Sequence, residues 1–181
     1  MRVLRSFFWP ASLAGAVSAA APALAQEAHG HIHAGQESRA IASLSDEEVS
    51  AFREGAGMGF ALIAELNHYP GPKHVLELAD SLALDPDTIE KVREVFDGMQ
   101  AEAIRLGNLY LENEAAFDRS FAERDVDPEG VGEWARQSAF VLAELRATHL
   151  NAHLAVRELI GEDAVTRYDR LRGYHGGAHD P

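Results

Sequence analysis

PDTIEKVREVFDGMQAEAIRLGNLYLENEAAFDRSFAER, residues 86–124, decides the fold of this chain. Asp85 precedes it as an N-cap, and Pro86 takes the first helical position, where its missing N–H costs nothing. Apolar or small residues then recur at alternating steps of three and four: Ile89, Val92, Phe96, Met99, Ala103, Leu106, Tyr110 and, past the polar Asn113, Phe117. That is a helical seam with a 3.5-residue period, not the alternation of a strand. No later proline interrupts it, so it reads as one helix of roughly 58 Å at 1.5 Å per residue. A helix of this length needs a partner to bury its seam. The partner is the next helical pattern, 128–160, folding back after Asp125-Val126-Asp127-Pro128. Its own seam runs through Ala135, Ser138, Leu142, Leu145, His149, Ala152, Val156 and Leu159. The fold class is therefore all-α, built on a long antiparallel helical hairpin.

Shorter helices flank the hairpin. Ser45-Asp46-Glu47-Glu48 is a capping box that opens a short helix ending near Glu54. Gly55, Gly57 and Gly59 loosen the chain around Met58, and an amphipathic piece follows through Phe60, Leu62, Ile63 and Leu66. Asn67-His68-Tyr69-Pro70-Gly71-Pro72 breaks it. His74 to Leu84 reads as a further helix with Val75, Leu78, Ala79 and Leu82 on one face. Gly161 stops the second arm, and 162–174 forms a short C-terminal helix with Val165, Tyr168 and Leu171 inward.

The ends of the chain carry a different signal. Arg2 and Arg5, an apolar run and Ala23-Leu24-Ala25 make residues 1–25 a signal peptide cleaved before Gln26; the alternative is a retained membrane anchor. Export to the periplasm is the expectation, with no stable membrane insertion after cleavage. The chain then has 14 Lys and Arg against 29 Asp and Glu, a formal charge of −15. Such a surface repels nucleic acid and anionic lipid and attracts cations and basic partners. With no cysteine, neither a disulfide nor a thiolate metal site is available. Residues 26–43 form a polar leader with His29, His31 and His33, and residues 175–181 a tail with His175 and His179. Neutral imidazoles so spaced suit Cu(II), Ni(II) or Zn(II). The helical domain lies between them, at 44–174.

The sharpest candidate site is His149-x-x-x-His153, because residues four apart share one helix face and both rings can reach one ion. Hairpin pairing sets His149 near residue 105 and His153 near 101, which brings Met99 and Glu102 within reach. His74 or His68 from the N-terminal helices can complete a Zn, Ni, Co or Cu set. Between the two histidines, Leu150-Asn151-Ala152 offers no general base, so a metalloprotease is excluded and no catalysis is expected. The segment Ala103–Leu111 is apolar on nearly every side. Ile104, Leu109, Tyr110 and Leu111 are thus candidates for a client or dimer surface.

Leu84-Asp85-Pro86-Asp87-Thr88 and Ile160-Gly161-Glu162-Asp163-Ala164, the latter followed by Arg167-Tyr168, stand where a Leu-Thr-x-x-Gln motif would start a long helix and recur before the last one. On this account residues 72–174 resemble the periplasmic Spy/CpxP superfamily, which includes heavy-metal sensors and zinc-resistance-associated proteins. The resemblance implies a curved antiparallel homodimer and a role in envelope stress or metal response. Its sensor branch implies an HxxxH pair in the first helix and a His-x-x-x-Met pair in the long returning helix. His149 and His153 lie close to the second pair, with His for Met, while His74 matches half of the first and Leu78 replaces its other imidazole. The first functional expectation is a non-catalytic periplasmic metal-binding protein in heavy-metal sensing or resistance, with no required cofactor and a transition-metal ion (Zn, Ni, Co or Cu) as its ligand. The alternatives are an ATP-independent holdase for unfolded periplasmic proteins and an adaptor of an envelope signalling protein.

Overall fold

The computed structural model describes residues 33–174, and the leader histidines His29 and His31, the tail histidines His175 and His179 and the signal segment lie outside the described residues. A 3₁₀ turn, Gln36–Ser38, precedes five helices: α1 (Asp46–Arg53), α2 (Leu62–Glu65), α3 (Pro72–Glu77), α4 (Pro86–Glu123) and α5 (Pro128–Arg172). The fold is all-α, and α4 and α5 form the long antiparallel pair. Among the described residues no helix is long and apolar enough to cross a membrane.

Local chemistry fixes the helix ends. Asp85 accepts from the Thr88 N–H at 2.9 Å, and Asp127 accepts from the Gly130 N–H at 2.8 Å. Each satisfies a donor that the first turn leaves open, and each is followed by proline at the first position. Ser45 and Glu48 form the reciprocal capping box. Arg124 ends α4 in the left-handed conformation at φ 59°. At Gly161, φ 72° and ψ 169° lie in a region open essentially to glycine, so α5 bends there and its last turns fold onto the hairpin base.

Two apolar clusters result. In the first, Ile41, Leu44 and Phe52 from the N-terminal segment meet Ala103, Leu106 and Leu111 of α4 and Val141 and Leu145 of α5. In the second, Val75 and Leu82 meet Val92, Val156 and Tyr168, all fully buried. Ser138 donates to Glu114 at 2.8 Å and Trp134 stacks on Phe117 at 5.9 Å, which sets the hairpin register.

Several expectations need correction. The helix expected over 74–84 is the shorter α3; Leu78 leaves it, and Ala83 turns left-handed at φ 50° so that the chain can reach the α4 cap. Toward the hairpin tip Val141 is buried, Leu142 only half-buried and Ala135 exposed. A straight helix drifts against a strict 3.5 repeat, and here the inward position falls on Val141 in place of Leu142. Leu171 points outward at 50% exposure, while Ala164, Val165 and Tyr168 are the residues that this end of α5 buries. In α2, Leu62, Ile63 and Leu66 are exposed and the small Ala61 and Ala64 lie inside. The small side chains let this one-turn helix sit close to α5, which rotates the larger ones into solvent. Of the surface expected over Ile104, Leu109, Tyr110 and Leu111, the first three are half-buried and the last is buried. Leu111 is buried, Tyr110 lies against Phe52 with ring centroids 4.6 Å apart, and Ile104 lies under Gly55. The chain's own N-terminal segment covers the apolar middle of α4.

Candidate metal-binding groove

At the base of the hairpin, α3, α4, α5 and the loop after α1 enclose an open groove of about 500 Å³. His74, His149, His153 and Met99 all line it, with Phe96 and Gln100 on the α4 side and Gly71 and Lys73 at the rim. A second cavity, of about 290 Å³, is lined by the same three imidazoles together with Met58, Leu62, Glu65, Arg172 and Tyr174. The three histidines thus line both cavities.

Each imidazole is held differently. His153 is 12% exposed, and its Nδ1 lies 2.7 Å from the Tyr69 carbonyl, which only accepts. In the neutral ring the proton therefore sits on Nδ1 and the lone pair on Nε2. His74 Nδ1 lies 3.0 Å from the Glu77 carboxylate, which likewise places its proton on Nδ1 and leaves Nε2 as the donor atom. Main-chain or carboxylate bonds of this kind orient metal-ligating histidines. His149 is buried and stacks on Phe60 with centroids 5.8 Å apart; its Nε2 has no hydrogen-bond partner. Burial, and after it the charge of His153, hold its pKa below the usual imidazole range, so it is neutral near pH 7.

The residues expected to join them divide. Met99 and His74 share the groove with His149 and His153. Glu102 does not: both its oxygens take hydrogen bonds from Arg105, at 2.8 and 2.7 Å, on the outer face of α4. His68 is turned away to Asp169 at 2.8 Å, and His33 bonds Gln36 at 2.9 Å on the N-terminal turn.

A buried acid beside His153, Glu65, was missed by sequence reasoning. It is buried, accepts from the Tyr168 hydroxyl, from the Tyr174 hydroxyl at 3.2 Å and from the Gly71 N–H at 3.1 Å, and lies 3.8 Å from His153 Nδ1. Burial and then the bond to Glu65 raise the Tyr168 pKa far above the ordinary phenol range, so this hydroxyl remains a donor. Nothing in the local sequence distinguishes Glu65 from its exposed neighbours; its partners come from residues as distant as 174.

The donor types here suit a divalent transition metal: three imidazoles, one with an orphaned buried nitrogen, beside a thioether. The spacing does not yet close around an ion. Among the described residues no three His, Cys, Asp or Glu side chains are gathered into a metal-holding group. No family model matches the chain, and no curated protein or solved structure matches it.

Proposed function

We propose that the chain is a non-catalytic, periplasmic metal-binding protein of heavy-metal sensing or resistance, taking Zn, Ni, Co or Cu in the groove between α3, α4 and α5. The observation that carries this reading is His149 Nε2, buried and unpartnered in a groove shared with two imidazoles whose Nδ1 atoms are already engaged. A buried unpaired nitrogen costs about 1–3 kcal/mol, which a metal ion would offset. The likeness of residues 72–174 to the Spy/CpxP superfamily supports the same reading and adds the periplasmic setting and a homodimer. His149, His153 and His74 are the ligands, with Met99 as a soft fourth donor.

Titration calorimetry with each of the four metals tests this, using chains in which His29, His31, His33, His175 and His179 are replaced by Ala. Submicromolar binding lost in His149→Ala/His153→Ala supports a built-in site. Binding seen only when the tail histidines are present would reduce the protein to an incidental chelator.

Leu62, Ile63 and Leu66, each more than half exposed, favour a second reading, an ATP-independent holdase. Its clients would meet α2 and not the middle of α4. Suppression of client aggregation by the metal-free protein, lost in Leu62→Ser/Ile63→Ser, would support it.

A further inference from the structure

On the side away from the hairpin core, α5 has a second apolar stripe. Its inward seam is Val141, Leu145, His149, Ala152 and Val156, all buried. Phe140, Ala143, Ala147, Leu150 and Leu154 follow one another at steps of three, four, three and four. At about 100° per residue they fall on the opposite face. Phe140 is 65% exposed and Leu154 49%; Ala143 is exposed, and Ala147 and Leu150 are half-buried. None of the five belongs to either apolar cluster. The outer face of α4 is different in kind, with Glu90, Glu94, Asp97, Arg105 and Asn108 all exposed. An apolar repeat of 3.5 residues over about 21 Å of helix is a seam for another helix.

The two ends of the stripe select its occupant. Arg136 extends it one turn before Phe140, and Glu158 extends it one turn after Leu154. Both are exposed, and neither has an ion-pair partner among the described residues. They stand about 33 Å apart along the axis, so they cannot meet within one chain. Two copies of α5 laid antiparallel, with a two-fold axis at Ala147, set Arg136 against the partner's Glu158. The same operation sets Phe140 against the partner's Leu154 and Ala147 against its own copy. The small side chains of Ala143 and Ala147 let the axes approach to about 8 Å, the short end of helix packing. A stripe whose opposite ends carry opposite charge is complementary to its own reversal, which is what a two-fold contact requires.

We propose that the outer face of α5 from Arg136 to Glu158 is the interface of an antiparallel homodimer, with its two-fold axis at Ala147. The proposal rests on the homodimer of the reading above and gives it a surface. It uses no residue that lines the groove, so dimer and metal site can be tested apart. The apolar stripe supplies the attraction, and the paired ends fix direction and register. A parallel arrangement would set Arg136 against the partner's Arg136 and Glu158 against the partner's Glu158, and is disfavoured at both ends.

The test is sedimentation equilibrium of the chain starting at Gln26, in chelator and across the micromolar range, with circular dichroism to verify that each variant keeps its helices. The parent should be a dimer. Arg136→Glu and Glu158→Arg should each weaken it about tenfold or more, because each sets like charges together at both ends. An equimolar mixture of the two variants should form a heterodimer as tight as the parent, since both end pairs are then opposite in charge. Ala147→Cys, in a chain with no other cysteine, should oxidise to a covalent dimer, whereas Glu94→Cys on the outer face of α4 should not. A monomeric parent, or a dimer indifferent to both charge reversals, would overturn the proposal. Weakening in both variants with no recovery in the mixture would overturn the antiparallel pairing. With no metal present, neither result bears on the groove, which calorimetry tests separately.

Discussion

His153, in the middle of α5, hydrogen-bonds through Nδ1 to the main-chain carbonyl of Tyr69 at 2.7 Å, across 84 positions of sequence. A carbonyl cannot donate, so this contact selects the tautomer and the protonated nitrogen. Long-range proton–nitrogen NMR of imidazole-labelled protein at neutral pH should find His153 protonated at Nδ1 in the metal-free state. An Nε2-protonated His153 would remove the donor atom on which the groove's chemistry depends.

His149 gives a pH dependence with a definite sign. Its folded pKa is lowered, so the unfolded chain takes up a proton near pH 6.5, about the free imidazole value, where the folded chain does not. The stability linked to this group is complete above that pH and declines as the pH falls from there toward the folded pKa. His149→Leu should therefore lose less stability than the parent between about pH 7.5 and 5.5, read as urea midpoints without metal. Equal losses in both proteins would mean that His149 is accessible to protons in the folded state.

Gly107 marks the closest approach of the N-terminal segment to the hairpin. A Cβ there would overlap the Phe52 carbonyl, a main-chain atom that cannot rotate away. Gly107→Ala should cost about 3 kcal/mol despite the better helix propensity of alanine, or else detach α1 and expose Leu111. Chemical denaturation followed by circular dichroism separates the cases. A variant as stable as the parent would show that α1 does not lie where the structure has it.

Asn113 interrupts the α4 seam as a buried amide whose Nδ2 has no partner. Leucine has nearly the same volume and no polar group to desolvate, so Asn113→Leu should raise stability by about 1–2 kcal/mol. A lowered melting temperature would point instead to a water or a second protomer satisfying the amide.

Glu102 provides the control for the groove. Its carboxylate is held by Arg105, with both groups largely in solvent. Glu102→Gln should leave metal affinity within about twofold of the parent, while His74→Ala should lower it by tenfold or more. The reverse ranking would return Glu102 to the ligand set and require a different rotation of α4.

The two parts of the site differ in how they could be read. His149 and His153 are four apart on one helix, and that spacing is a local property of the chain. The placement of Met99 followed from folding one amphipathic helix back on another, because the seam of each fixes which face is inside. Glu65 was invisible for the opposite reason. A glutamate in a one-turn helix carries no periodic signal, and what buries it is a bend at Gly161 that brings Tyr168 and Tyr174 round to it.

By itself the sequence determined the all-α class, the long helix pair, the caps at Ser45, Asp85 and Asp127, and the break at Gly161. All of these depend on interactions within a few residues or on a repeating apolar face. Only the tertiary structure decided which apolar residues α2 turns outward, that α1 covers the middle of α4, and that the chain at Tyr69 and Gly71 lies beside His153. Those outcomes depend on which surfaces fit at contact distance, where one Cβ at Gly71 or Gly107 would change the answer.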